Sequence, residues 1–120
     1  MKLKSTQHLF ILAILAVLSV ATQRSHAQGP RRVEITAKRF TFSPAEITLK
    51  KNEQVTILLT SEDVDHGLKF KDLNIVLKVK KGQTSETSFT PTQAGTFVGQ
   101  CAMFCGSGHG SMKMTLHVTE

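Results

Sequence analysis

Thr96-Phe97-Val98-Gly99-Gln100-Cys101-Ala102-Met103-Phe104-Cys105-Gly106-Ser107-Gly108-His109-Gly110-Ser111-Met112-Lys113-Met114-Thr115-Leu116-His117-Val118, residues 96–118, is a strand, a loop and a second strand. The first strand, Thr96 to Gln100, runs into the loop. In the second, Met112, Met114, Leu116 and Val118 alternate with Lys113, Thr115 and His117, the period of a half-buried strand. The loop holds Cys101, Cys105, His109 and Met112 in the spacing Cys-x3-Cys-x3-His-x2-Met, and these two cysteines are the only ones in the chain. Thiolate, imidazole and thioether are soft or borderline ligands that suit copper better than a hard cation.

Outward from this stretch the same period recurs. Val33, Ile35 and Ala37 alternate with Glu34, Thr36 and Lys38 until Ser43-Pro44 breaks the run. Ile47 and Leu49 alternate with Thr48 and Lys50, and Lys51-Asn52-Glu53 turns the chain. Val55 to Thr60 is an apolar, β-branched run of the kind found in a central strand. Ser61-Glu62-Asp63-Val64-Asp65 is a polar loop before His66-Gly67. Leu68 and Phe70, then Ile75, Leu77 and Val79, give two more alternating runs, and Thr84 to Phe89 another. The pattern predicts an all-β, Greek-key sandwich of seven to eight antiparallel strands. After the N-terminal segment no stretch has the helical period.

The N-terminus follows a different logic. Lys2 and Lys4 precede the apolar run Leu9 to Val20, and Ser25-His26-Ala27 offers small residues at a cleavage site. These three parts make a secretory signal peptide over 1–27. The apolar run is short for a membrane span, which needs about twenty residues, so membrane attachment is expected only if this segment stays uncleaved. Residues 28–32 are a short lead-in and 33–120 the folded domain. The expected location is outside the cytoplasm, in the periplasm or on the outer face of the cytoplasmic membrane.

The formal charge of +6 overstates the basicity of the domain. Three basic residues and no acid lie within 1–27, leaving twelve basic against nine acidic residues in the remainder. A surplus this small gives no ground for nucleic-acid binding. The chain has no Trp and no Tyr, so seven Phe carry the aromatic packing. No nucleophile elbow, phosphate-binding glycine loop or paired catalytic carboxylates are present. Gly106, Gly108 and Gly110 are expected to let the loop backbone wrap closely round a metal.

One Cys, two His and a weak axial Met suffice for a mononuclear blue-copper site. Cys105, His109 and Met112, with His66 thirty-five positions before Cys101, already meet that need. Cys101 is then surplus. A second thiolate four positions from the first can bridge two coppers, so the spacing favours a dinuclear centre.

The motif follows Phe89-x-Pro91-x3-Gly95-Thr96-Phe97-x-Gly99-Gln100, with Asp63-Val64-Asp65-His66 upstream. Together these resemble the copper A (CuA) domain, the cupredoxin-fold domain of cytochrome c oxidase subunit II and nitrous-oxide reductase. The resemblance implies that Cys101 and Cys105 bridge two coppers and that His66 and His109 each ligate one. It further implies weak ligation by Met112 and by the backbone carbonyl of Met103, and transfer of single electrons. The implied partner is a redox protein such as a c-type cytochrome or a terminal oxidase. Departures accompany the match: a signal peptide where the oxidase subunit has a membrane hairpin, no Trp, and Met103 where oxidases commonly carry a magnesium-binding Glu. They point to a free-standing exported domain.

Other readings remain open on the sequence alone. The two cysteines could form a disulfide. A zinc site could use Cys101, Cys105, His66 and His109, leaving Met112 without a role. A copper carrier or assembly factor would use the same donors as an electron-transfer site. Asp63 and Asp65 are expected to form a solvated acidic loop, with orientation of the His66 ring as the alternative. Met114 is expected in the core and His117 on the surface. Phe104 either shields the centre or is exposed for docking.

Overall fold

The computed structural model describes residues 29–120, so the proposed signal peptide lies outside the described residues. Among the described residues nine strands form two sheets packed face to face. The strands are β1 (Arg31–Lys38), β2 (Thr41–Ser43), β3 (Glu46–Lys50), β4 (Val55–Ser61), β5 (His66–Phe70), β6 (Ile75–Val79), β7 (Thr84–Phe89), β8 (Gly95–Gln100) and β9 (Lys113–Thr119). One sheet has the order β2-β1-β4-β7 and the other β3-β9-β8-β5-β6. Among the described residues no helix is long and apolar enough to cross a membrane. Among the described residues the helical elements are two short 3-10 turns, at Lys71–Leu73 and His109–Ser111.

Alternation builds the core as the sequence predicts. Val33, Ile35 and Ala37 of β1, Ile57 and Leu59 of β4, Leu68 and Phe70 of β5, and Met114, Leu116 and Val118 of β9 are all buried. β4 lies between β1 and β7, the central position its β-branched run implies. Its buried Thr56 turns away from the apolar side and shares a 2.7 Å hydrogen bond with Ser88 on β7, which satisfies the hydroxyl.

Two expectations need correction. The sandwich is not wholly antiparallel: β1 runs parallel to β4, with Val33 opposite Ile57, and β3 runs parallel to β9, with Ile47 opposite Leu116. Period-two alternation looks the same in either direction, so it cannot report strand sense. The described residues also form nine strands, not seven or eight, because β2 has only three residues with Phe42 alone buried. That is too short to display a period. β1 also takes in Arg31 and Arg32, which the sequence pattern assigns to the lead-in.

This topology puts the loop between β8 and β9 beside the start of β5. Cys101 N–H donates to the Met112 carbonyl at 3.1 Å and closes the loop at its base. Ala102 N–H donates to the Gly67 carbonyl at 3.1 Å, continuing the β8–β5 pairing that sets Lys69 opposite Gln100. A Cβ on Gly67 would lie 2.7 Å from Ala102 Cβ, so glycine is what lets the loop lie against β5.

Leu116 is fully buried on a strand with neighbours on both sides. Leu116→Ala is expected to lower the unfolding free energy by about 2–5 kcal/mol, the range for truncating a buried leucine. Urea unfolding of the metal-free protein measures it, and a loss well under 1 kcal/mol would show that this face of β9 is not core.

Candidate metal centre

The loop from Cys101 to Met112 and the first residue of β5 converge at one end of the sandwich. Cys101, Cys105, Met112 and His66 are all buried, and His66 and Met112 are fully so. His109 is half-buried. The two sulfurs lie 3.6 Å apart and both thiols are free, so the cysteines are close but not bonded. A disulfide would hold them at about 2.05 Å. One donor atom each from His66, Cys101 and Cys105 falls within 4.8 Å of the others.

The remaining donors divide between the two sulfurs. His66 Nδ1 is 4.0 Å from Cys101 Sγ, and the Met103 carbonyl oxygen is 3.0 Å from it. His109 Nδ1 is 3.9 Å from Cys105 Sγ, and Met112 Sδ is 3.7 Å from it. Each thiol therefore has one imidazole and one weaker donor. The 3-10 turn that presents His109 is held by Ser111 N–H to Gly108 O and Met112 N–H to His109 O.

Asp63 does more than line a solvated loop, which corrects the sequence expectation. Its Oδ1 lies 2.7 Å from His66 Nε2 and also accepts from Val64 N–H at 2.8 Å. Its Oδ2 accepts from Arg39 N–H at 2.8 Å. Burial pushes the carboxyl pKa up, but the bonds from Arg39, His66 and Val64 outweigh it and hold it at about 2, below the ordinary 3.8. An ionised carboxylate can only accept, so Nε2 donates to Asp63, and Nδ1 is the ring nitrogen that faces the thiols. Asp65 points elsewhere. Its Oδ1 accepts from Lys81 N–H at 2.9 Å, away from the ring.

Burial pushes the Cys105 thiol up, helped by its hydrogen bond to Cys101 and the charge there, to about 11. In the metal-free protein this thiol is protonated at neutral pH.

Other site residues leave no trace in local sequence. Arg39 Nε donates to the Cys105 carbonyl at 2.8 Å. The neighbouring Phe40 ring lies under the loop, where a Cβ on Gly106 or Gly108 would come within 2.9 and 2.5 Å of it. Gly106 also has φ +139°, a conformation that side chains disfavour. Gly110 has open space around it, so close wrapping holds at 106 and 108 only. Phe104 is 80% exposed with its ring centroid 5.7 Å from that of His109, so it does not seal the site. His117 lies on the outer face near Glu46, at the surface as expected.

The donors that face one another are two thiols, two imidazole nitrogens, a thioether and a carbonyl. Sulfur and imidazole fit copper and disfavour magnesium or calcium. The buried thioether beside Cys105 also goes beyond what a closed four-ligand zinc site uses.

Comparisons with known proteins agree. A family model described as a cupredoxin-like domain matches residues 10–117. Cytochrome c oxidase subunit 2 of Thermus thermophilus is 31% identical over 94 residues, covering 77% of this chain and 70% of the relative. Nitrous-oxide reductase of Cupriavidus necator is 32% identical over 90 residues, covering 72% of this chain but 14% of that enzyme. The chain likewise spans about a third, 31%, of the subunit 2 of Culex quinquefasciatus that it matches. The periplasmic domain of oxidase subunit II from Bradyrhizobium japonicum superposes with a TM-score of 0.70 at 19% identity, covering 78% of this chain and 86% of that one. A shared fold, a shared sequence signature and soft donors gathered at one end lead to one conclusion: the chain belongs to the cupredoxin-like domain family, as a homologue of the CuA domains of cytochrome c oxidase subunit II and nitrous-oxide reductase.

Proposed function

We propose that this domain holds a dinuclear copper centre and passes single electrons between redox proteins outside the cytoplasm. The observation that carries the reading is the even division of donors about two free thiols 3.6 Å apart. A mononuclear site of one Cys, two His and a Met leaves the second cysteine idle. Two copper ions would be held by the Cys101 and Cys105 thiolates with His66 and His109, and Met112 and the Met103 carbonyl would serve as weaker donors. Bound copper supplies a one-electron couple shared by the pair.

The protein's own part is to keep the donors still. Asp63 fixes the tautomer and direction of His66, and the backbone bonds of Cys101 and Ala102 fix the loop against β5 and β9. Donors held in place before and after electron transfer keep the rearrangement between oxidation states small. Burial excludes water from the sulfurs and, with hydrogen bonding, sets the potential. Partners would be a c-type cytochrome or a terminal oxidase, met through small transient contacts. The full burial of His66 and Met112 favours retention of copper over rapid hand-off by a carrier.

Copper titration with paramagnetic resonance tests this reading. Two coppers per chain are expected, with hyperfine structure from two equivalent nuclei sharing one electron. Four-line splitting by a single nucleus at one copper per chain would sink the dinuclear claim. Cys101→Ser is expected to lose the shared signal and leave at most a mononuclear one.

Asp63 ties stability to acid. Its folded pKa lies below the ordinary value, so its contribution is fully present above about pH 4. It is lost as pH falls from about 3.8 toward 2, where the folded group also takes up a proton. Asp63→Asn should therefore unfold at a lower temperature than the parent at pH 6, with the gap closing near pH 2. A gap that stays constant with pH would show that the carboxylate charge has no part.

Copper uptake is also expected to release protons, because the Cys105 thiol is protonated before binding. Apparent affinity should fall as pH is lowered, and calorimetry in buffers of different ionisation enthalpy counts the protons. Uptake without proton release would contradict thiolate ligation.

A further inference from the structure

The turn between β1 and β2 reaches both arms of the metal centre. Arg39 lies there, 24 positions before Asp63 and 66 before Cys105. Its backbone N–H donates to Asp63 Oδ2 at 2.8 Å, and the other oxygen of that carboxylate holds His66. Its side-chain Nε donates to the Cys105 carbonyl at 2.8 Å. That bond fixes the peptide plane just after one thiol, at the point where Gly106 takes its positive φ. Phe40 supports the same stretch from below. Among the described residues no carboxylate lies within ion-pair distance of the Arg39 guanidinium, and residues 1–28 contain no acid, so its charge is not neutralised by a carboxylate.

We propose that Arg39 is a positioning residue for the copper centre that also raises its reduction potential. Its main chain steadies the His66 arm and its side chain steadies the Cys105 arm. The two donor arms, far apart in sequence, are thereby held to one residue. The guanidinium is permanently charged. An oxidised centre carries one more positive charge than a reduced one, so a fixed cation beside Cys105 disfavours oxidation. The inference rests on the copper reading above for its electrostatic half, whereas the positioning half concerns the loop itself.

Three chains decide it: the parent, Arg39→Met, which keeps the stem without donor or charge, and Arg39→Lys, which keeps the charge without the Nε donor. In the copper-loaded proteins, Arg39→Met is expected to shift to a lower midpoint potential and to lose copper to a chelator about tenfold faster. Arg39→Lys is expected to keep a potential close to the parent and still release copper faster. In the metal-free proteins, amide exchange should quicken across 101–111 in both variants while the amides of β4 keep parental rates. That readout stands even if the parent takes up no copper, an outcome that would overturn the copper reading and the electrostatic half together. Unchanged exchange in the loop overturns the positioning half. Equal potentials in the parent and Arg39→Met, or an equal drop in both variants, overturn the electrostatic half.

Discussion

One carboxylate is the constraint on which the rest of the centre depends. His66 is fully buried, and a buried imidazole must have its ring nitrogens accounted for. Asp63 takes the proton-bearing Nε2, and that choice leaves Nδ1 for the thiols. Asp63 is itself held by two backbone N–H groups, from Val64 beside it and from Arg39 on a distant turn. The ring direction is thus set by main-chain positions, and those positions are set by the sandwich.

The sandwich supplies the second constraint. Pairing of β8 with both β9 and β5 brings the cysteine loop between β9 and the strand that begins with His66. The base of the loop is closed by a main-chain bond and its far side rests on Phe40. Four side chains from one loop and a fifth from a separate strand face one another before any metal is bound. Donors so prepared support the electron-transfer role proposed above, which asks for little rearrangement on a change of valence.

Much of this was legible in the sequence, and the limits have physical causes. Alternating apolar residues located nearly every strand, because burial of one face repeats every second residue. Spacing picked out Cys101, Cys105, His109 and Met112 together, because a single loop must carry them. The parallel pairings of β1 with β4 and β3 with β9 were not legible, since alternation is blind to direction. Asp63 looked like one more acid in a polar loop, because its partners are a buried ring and the N–H of Arg39. Arg39 and Phe40 lie on a turn with no period and no motif, and only the packed sandwich brings them under the loop.

Crystal structures of the protein before and after copper loading test most directly whether the scaffold fixes its donors in advance. The account predicts that the His66–Asp63 contact, the Arg39–Cys105 contact and the path of residues 101–112 are the same in both. A His66 ring turned away from Asp63, or a loop that refolds on loading, would contradict it.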